Sequence, residues 1–206
     1  MSTAAARTTI VDAVEPLVPP SETPVVVGID GRSGVGKTSL ASLVAQDLEA
    51  VVVPMDDFYG GFLPYPAWDS MTVEERAERV FDWPRLRVEA LLPLLAGGTA
   101  RWHPFDWSVG ASPDGTYGTQ ATAVEVHPAP VVLLEGVYSC GPQLADLVSL
   151  SVLVELPDAA RRARLAGRGD PVFLEPWNAR WDAVEDFYFS RVRPRRSYDV
   201  VVRTTA

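Results

Sequence analysis

The chain has 206 residues, 47% of them hydrophobic, and a formal net charge of −9. That length is enough to bury one sizeable core and too short for two, and the acidic balance argues against nucleic acid as a main partner, because phosphate backbones reward basic surfaces. The apolar residues come in runs broken by Pro, Gly or charge, none near the roughly 20 residues of a membrane-crossing helix, and a single Cys140 offers no disulfide framework.

Two features of the charge are informative. From Arg161 onward there are ten Arg against six acidic residues, a balance of +4, which leaves −13 on residues 1–160. A basic tail on an acidic chain suits a focused anion site. The chain also holds 17 Arg and one Lys, Lys37. Where Arg is the default cation, a lone Lys marks a position that requires a compact ammonium on a flexible stem.

In chain order, residues 8–18 read as a short helix and Pro19 to Pro24 as a linker, so that 1–24 form an N-terminal helix and linker. This N-terminal stretch lacks an apolar h-region and carries Asp12 and Glu15, which points to the cytoplasm. Val25 to Asp30 is a β-branched run of the kind buried on both faces of a sheet. Residues 37–49 place Leu40, Leu43, Val44 and Leu48 at helical spacing, and Val51 to Val53 is a second strand. Further strands are expected at Val131 to Leu134, Leu150 to Glu155 and Asp199 to Val202, and further helices at 72–80, 84–96, 158–168 and 178–192. Residues 99–127, with Gly, Pro, Trp102, Phe105, Trp107 and Tyr117, read as a β-hairpin excursion. Short apolar runs alternating with amphipathic segments predict an α/β fold with a parallel sheet, in a single domain over 1–206.

Gly31-Arg-Ser-Gly-Val-Gly36-Lys37-Thr38 matches G-x-x-x-x-G-K-[ST], directly after an expected strand and before an expected helix. Such a loop curls so that successive N–H groups face phosphate oxygens, and the helix N-terminus adds its dipole. The nucleotide-binding set is Gly31, Ser33, Gly34, Val35, Gly36, Lys37, Thr38 and Ser39, with Lys37 on the β- and γ-phosphates of ATP and the Thr38 hydroxyl on Mg²⁺. Val131-Val-Leu-Leu-Glu135 is an apolar strand ending in a carboxylate, placed to hold the same Mg²⁺ through water.

Asp56-Asp57-Phe58-Tyr59 follows the second strand and faces the phosphates across the sheet edge. The P-loop followed by MDDFY, then Phe81-Asp82-Trp83-Pro84, then Pro104-Phe105-Asp106-Trp107, then LLEGVYS, resembles the uridine kinase-like family over roughly residues 25–202. The resemblance implies a doubly wound five-stranded parallel sheet, order 2-3-1-4-5, flanked by helices. It implies an ATP- and Mg²⁺-dependent kinase acting on a hydroxyl of a small metabolite, foremost a nucleoside such as uridine or cytidine.

By the same resemblance Asp56 takes the proton of the attacking hydroxyl, with Asp57 the competing base or a substrate contact beside Tyr59. Asp82 falls in the family's sugar-holding motif, although Trp83 stands where the family has His; otherwise Asp82 caps the helix starting at Pro84. Phe105 and Trp107 occupy the base-holding segment, and Ser108 to Ala111 offer no His to read a pyrimidine. Arg161, Arg164 and Arg168 share a helical face in a lid over about 157–176, Arg164 and Arg168 serving to neutralise charge during transfer. Arg195 and Arg196 lie near the adenine or on plain surface. Lys37 being the lone Lys excludes the N-K-x-D guanine motif of GTPases. The remaining readings are a kinase for another alcohol or a nucleoside monophosphate, and an ATPase without acceptor.

Overall fold

The structure, a computed structural model, describes residues 1–18, 23–108, 118–167 and 171–205, and for 171–177 only the backbone. Arg168, Gly110, Ala111 and Tyr117 lie outside the described residues.

The main sheet holds β1 (Val25–Asp30), β2 (Val51–Pro54), β5 (Val131–Glu135), β6 (Val148–Glu155) and β7 (Val200–Arg203), all parallel, with spatial order β2-β5-β1-β6-β7. Counted along the chain among these five strands, that order is 2-3-1-4-5. β3 (Ala100–Trp102) and β4 (Val124–Val126) form a separate antiparallel pair within the excursion. The helices are α1 (Thr3–Val14), α2 (Lys37–Leu48), α3 (Tyr65–Ser70), α4 (Val73–Arg79), α5 (Trp83–Arg85), α6 (Leu92–Leu95), α7 (Asp158–Ala166) and α8 (Pro171–Phe187). A π-helical turn, Leu86–Leu91, joins α5 to α6, and another, Tyr188–Val192, continues α8.

Alternation along the central strands splits the core into two layers. Val25, Val27, Ile29, Val131 and Leu133 pack with Ala6, Ile10 and Val14 of α1 and Leu40, Ala41 and Val44 of α2. Val26, Val132 and Leu134 pack instead with Met55, Phe58, Leu86, Leu91, Trp102 and Tyr188. Successive side chains of a strand point to opposite faces, which is why an unbroken apolar run is stable only where helices cover both sides. Each fully buried Val, Leu or Phe here contributes about 1.5–3 kcal/mol.

The first helix starts at Thr3, five residues before the expected start, because the Ser2 side chain caps it by accepting from Ala5 N and because Ala6, Ile10 and Val14 form one buried stripe. α3 was not anticipated; its Pro66 near the N-terminus and buried Trp68 leave little helical periodicity in a six-residue span. Among the described residues no helix is long and apolar enough to cross a membrane.

Sheet register sets up the functional edge. Ile29 of β1 and Pro54 of β2 both pair with Glu135 of β5, so three strands end level. The loop 31–38, the Glu135 carboxylate and the 3₁₀ turn Met55–Phe58 therefore emerge side by side. Ligands in open α/β sheets collect at this carboxyl edge.

Candidate active site

The loop between β1 and α2 is held open by its glycines. Gly31 has φ +148°, and a Cβ there would lie 2.4 Å from the Val154 carbonyl oxygen; Gly34 has φ +86°, and a Cβ there would meet Leu165 at 2.8 Å. The second contact arises because α7 lies directly on the loop. Arg161 donates to the Ser33 carbonyl and Arg164 to the Val35 carbonyl, both at 3.3 Å, and Asp158 holds Arg161 in place. Lys37 is buried at the start of α2, where its ammonium donates to the Arg32 carbonyl at 3.2 Å. The first N–H groups of α2 have no partners within the helix and are ready for an anion.

Thr38 Oγ1 donates to Glu135 Oε1 at 3.2 Å, at the end of β5. A hydroxyl beside a carboxylate is an oxygen-only donor set, the kind that suits a hard divalent cation. Among the described residues no group of three or more His, Cys, Asp and Glu side chains gathers as a self-sufficient metal cluster.

The neighbouring acidic residues of the 3₁₀ turn part company. Asp56 lines a small, open cleft with Ser33, Tyr59, Trp107, Tyr138, Trp181 and Glu185. Its carboxylate is open to solvent but sits low between protein walls; that loss of hydration pushes its pKa up, with Lys37 pulling the other way. Asp57 points away: its Oδ2 accepts from the Trp102 indole at 2.8 Å, and its carbonyl receives Phe105 N and Arg85. Partial burial raises its pKa against the Trp102 hydrogen bond, Asp56 raises it further, and Arg85 lowers it. Asp57, expected at the substrate, is thus an anchor for the hairpin, because consecutive residues of a tight turn project in different directions.

Two further expected substrate contacts are engaged within the protein. Asp82 Oδ1 accepts from Arg85 N at 3.1 Å, capping α5, and Oδ2 lies 3.6 Å from the Arg85 guanidinium; Phe81 rather than Asp82 faces the cleft. Asp82→Ala is expected to cost about 1 kcal/mol through the lost cap, a fall of roughly 2–4 °C in Tm for a chain of this size, readable by thermal melting. Phe105 is fully buried, edge-on to Tyr59 at 4.9 Å and tilted against Trp107 at 4.6 Å, so it backs the aromatic wall while Trp107, 42% exposed, presents the surface.

Several residues of the site went unmarked in the sequence. Asp30, at the end of β1, is fully buried and accepts from Gly31 N, Tyr138 N, Cys140 N and the hydroxyls of Tyr188 and Tyr198. Burial pushes its pKa up; the hydrogen bonds of Tyr188, Gly31 and Tyr198 and the charge of Lys37 pull it back. Glu185 and Trp181 come from α8, where the only available signal was their helical spacing of four. Arg85 bridges the Asp57 and His103 carbonyls and lies over the Phe58 ring at 4.8 Å. On the other flank of the loop a groove of ≈ 300 Å³ is lined by Arg32, Val35, Leu156, Phe189, Arg195 and Arg203.

No protein-family model matches the chain. A uridine kinase of Ligilactobacillus salivarius is 30% identical over 182 residues, 83% of this chain and 76% of its own length. A uridine kinase of Macrococcus caseolyticus is 28% identical over 177 residues, 82% of this chain and 78% of its own. Among solved structures, a possible uridine kinase from Bacillus stearothermophilus shares the fold with a TM-score of 0.68 at 19% identity, 98% of this chain and 99% of that one being covered. D-glycerate 3-kinase from Cryptococcus neoformans follows the same fold at a TM-score of 0.59 and 16% identity, over 98% and 93% of the two chains. Strand order and loop give the P-loop fold, and the curated relatives make the protein a P-loop kinase. Within that class the chain belongs to the uridine kinase-like family.

Proposed function

We propose that the chain transfers the γ-phosphoryl group of ATP, with Mg²⁺, to a hydroxyl of a small alcohol, with a nucleoside such as uridine or cytidine as the foremost acceptor. The observation that carries this reading is that Ser33 of the P-loop and Asp56 line one aromatic-walled cleft, while the loop's other flank opens on the separate groove. A phosphate seated on the loop is then reached by a nucleotide from one side and by an acceptor from the other.

In this reading the backbone N–H groups of Gly34 and of Gly36 to Ser39, with the Lys37 ammonium, hold the β- and γ-phosphates, and the adenosine lies along Phe189 and Arg195. Thr38 and Glu135 hold Mg²⁺, which supplies charge neutralisation on the phosphates. Asp56 orients the acceptor hydroxyl and takes its proton, Tyr59 and Trp107 pack against the flat part of the acceptor, and Arg164, with Arg168, steadies charge on the transferring group. The named relatives support a nucleoside. The capping role of Asp82 favours a second reading, another small alcohol lacking a vicinal diol, since the carboxylate expected to grip that diol is engaged elsewhere.

A coupled ADP-release screen over nucleosides, nucleoside monophosphates, sugars and vitamin alcohols tests both. With the best acceptor, Asp56→Asn is expected to lower kcat by about a hundredfold with ATP affinity unchanged, as loss of one general base does. Asp56 acts only when ionised, so activity rises with pH through a limb displaced above the ordinary carboxylate range, as its raised pKa requires, and that limb vanishes in the variant. An Asp56→Asn enzyme with ordinary kcat and the same acid limb would take the role away from Asp56.

A further inference from the structure

One acidic group of the cleft has no part in the reaction so far. Glu185, on α8 between Val184 and Asp186, is only 5% exposed. Ser33 Oγ donates to its Oε1 at 2.5 Å, and Ser33 N–H lies 3.3 Å from each carboxylate oxygen. A carboxylate removed from water needs such donors to persist. Burial pushes its pKa up, while the Ser33 hydroxyl, Lys37, the Ser33 N–H and Arg32 favour the charged form. The side chain is thereby fixed at the junction of P-loop and cleft.

Around it the cleft holds a second carboxylate, Asp56, and otherwise Ser33, small apolar side chains and an aromatic wall. Among the described residues its lining includes no Arg or Lys, and of the residues left undescribed only Arg168 is cationic. Sites that accept phosphate or carboxylate groups present Arg forks or Lys to them. This cleft presents the opposite charge twice. The nucleotide's own phosphates are a separate matter, since they meet Lys37, the loop N–H groups and the α2 N-terminus.

We propose that Glu185 is a specificity-determining residue which, together with Asp56, excludes acceptors bearing their own phosphate or carboxylate and restricts the site to uncharged or amine-bearing alcohols. This rests on the cleft being the acceptor site. Like charges brought face to face cost several kcal/mol, so the unmodified protein is expected to prefer a neutral alcohol over its phosphate ester by at least about a hundredfold.

The test uses matched pairs: uridine with UMP, cytidine with CMP, and ribose with ribose 5-phosphate. ADP release gives kcat/KM for each member. Quenching of Trp107 and Trp181 fluorescence, with ADP bound, gives affinity without turnover. Glu185→Gln keeps an oxygen for Ser33 and removes the charge. It is expected to shrink the neutral-to-phosphorylated ratio about tenfold or more, through the KM and binding affinity of the phosphate ester. A neutral preference in binding that persists without any ADP release would leave the charge filter standing and remove the kinase reading alone. Equal use or binding of both members of the pairs by the unmodified protein, or an unchanged ratio in Glu185→Gln, overturns the proposal.

Discussion

Lys37→Arg is expected to lose phosphoryl transfer by at least about a thousandfold, since in this chemistry the protein's contribution is chiefly placed charge, while the fold stays intact. Arg is the cation this chain uses at every other basic position, so the substitution asks only whether the shape of the cation matters. Lys37 is buried beneath the curled loop, its ammonium turned to the Arg32 carbonyl at 3.2 Å. A guanidinium is planar and wider, presents its donors as a rigid fork, and cannot pivot from that carbonyl to a phosphate as a compact ammonium can. The loop also has little room to adapt, because Leu165, Arg161 and Arg164 of α7 press on it from above. ADP release and a thermal melt measured side by side decide the matter: near-ordinary turnover in Lys37→Arg removes Lys37 from the chemistry, and a lost melt would mean that the variant reports on folding.

Asp30→Ala is expected to be the most destabilising single substitution on this side of the sheet, by about 5 kcal/mol or more, since a buried hydrogen-bonded charge network is broken. The two carboxylate oxygens gather five donors: Gly31 N at 2.7 Å, Tyr138 N at 2.9 Å, Cys140 N at 3.3 Å, Tyr188 Oη at 2.7 Å and Tyr198 Oη at 2.9 Å. They come from the P-loop, the segment after β5, the end of α8 and the approach to β7, so one side chain ties four pieces of chain together. Removing the acceptor orphans all five at once, and each buried orphan costs about 1–3 kcal/mol, not fully additively. At roughly 2–4 °C per kcal/mol the melting temperature should fall by about 10–20 °C. Tyr198→Phe removes a donor together with its need for a partner and should cost only about 1 kcal/mol. Should Asp30→Ala fail to fold, Asp30→Asn serves, since it keeps one oxygen and turns an N–H pair towards the same donors. A melting temperature within 2 °C of the parent in either variant would show that the network carries little.

The chemistry that sequence made legible is local chemistry. Gly31 to Thr38 is a contiguous loop whose spacing alone dictates its curl, and Lys37 stood out as the lone Lys. Parallel strands announced themselves because burial on both faces forces unbroken apolar runs, and Glu135 was visible as the polar residue ending one of them. Strand order, too, was available, though through resemblance to a family rather than through periodicity, which carries no information about which strand lies beside which.

What required the tertiary structure is direction and convergence. Asp56 and Asp57 are adjacent and chemically identical in sequence; only the fold turns one into the cleft and the other onto the Trp102 indole 45 residues away. Asp82 fits a sugar-holding motif and a helix cap equally well on paper, and the nearby Arg85 N–H decides where its oxygen points. Phe105 and Trp107 look interchangeable, yet one is sealed behind the other. Asp30 and Glu185 carry no motif, because all their partners except Gly31 lie over a hundred residues away and meet them only when β1, β5, α8 and β7 pack. A motif records residues that are neighbours along the chain, whereas the charge of a cleft is the sum of side chains that only the packed chain brings together.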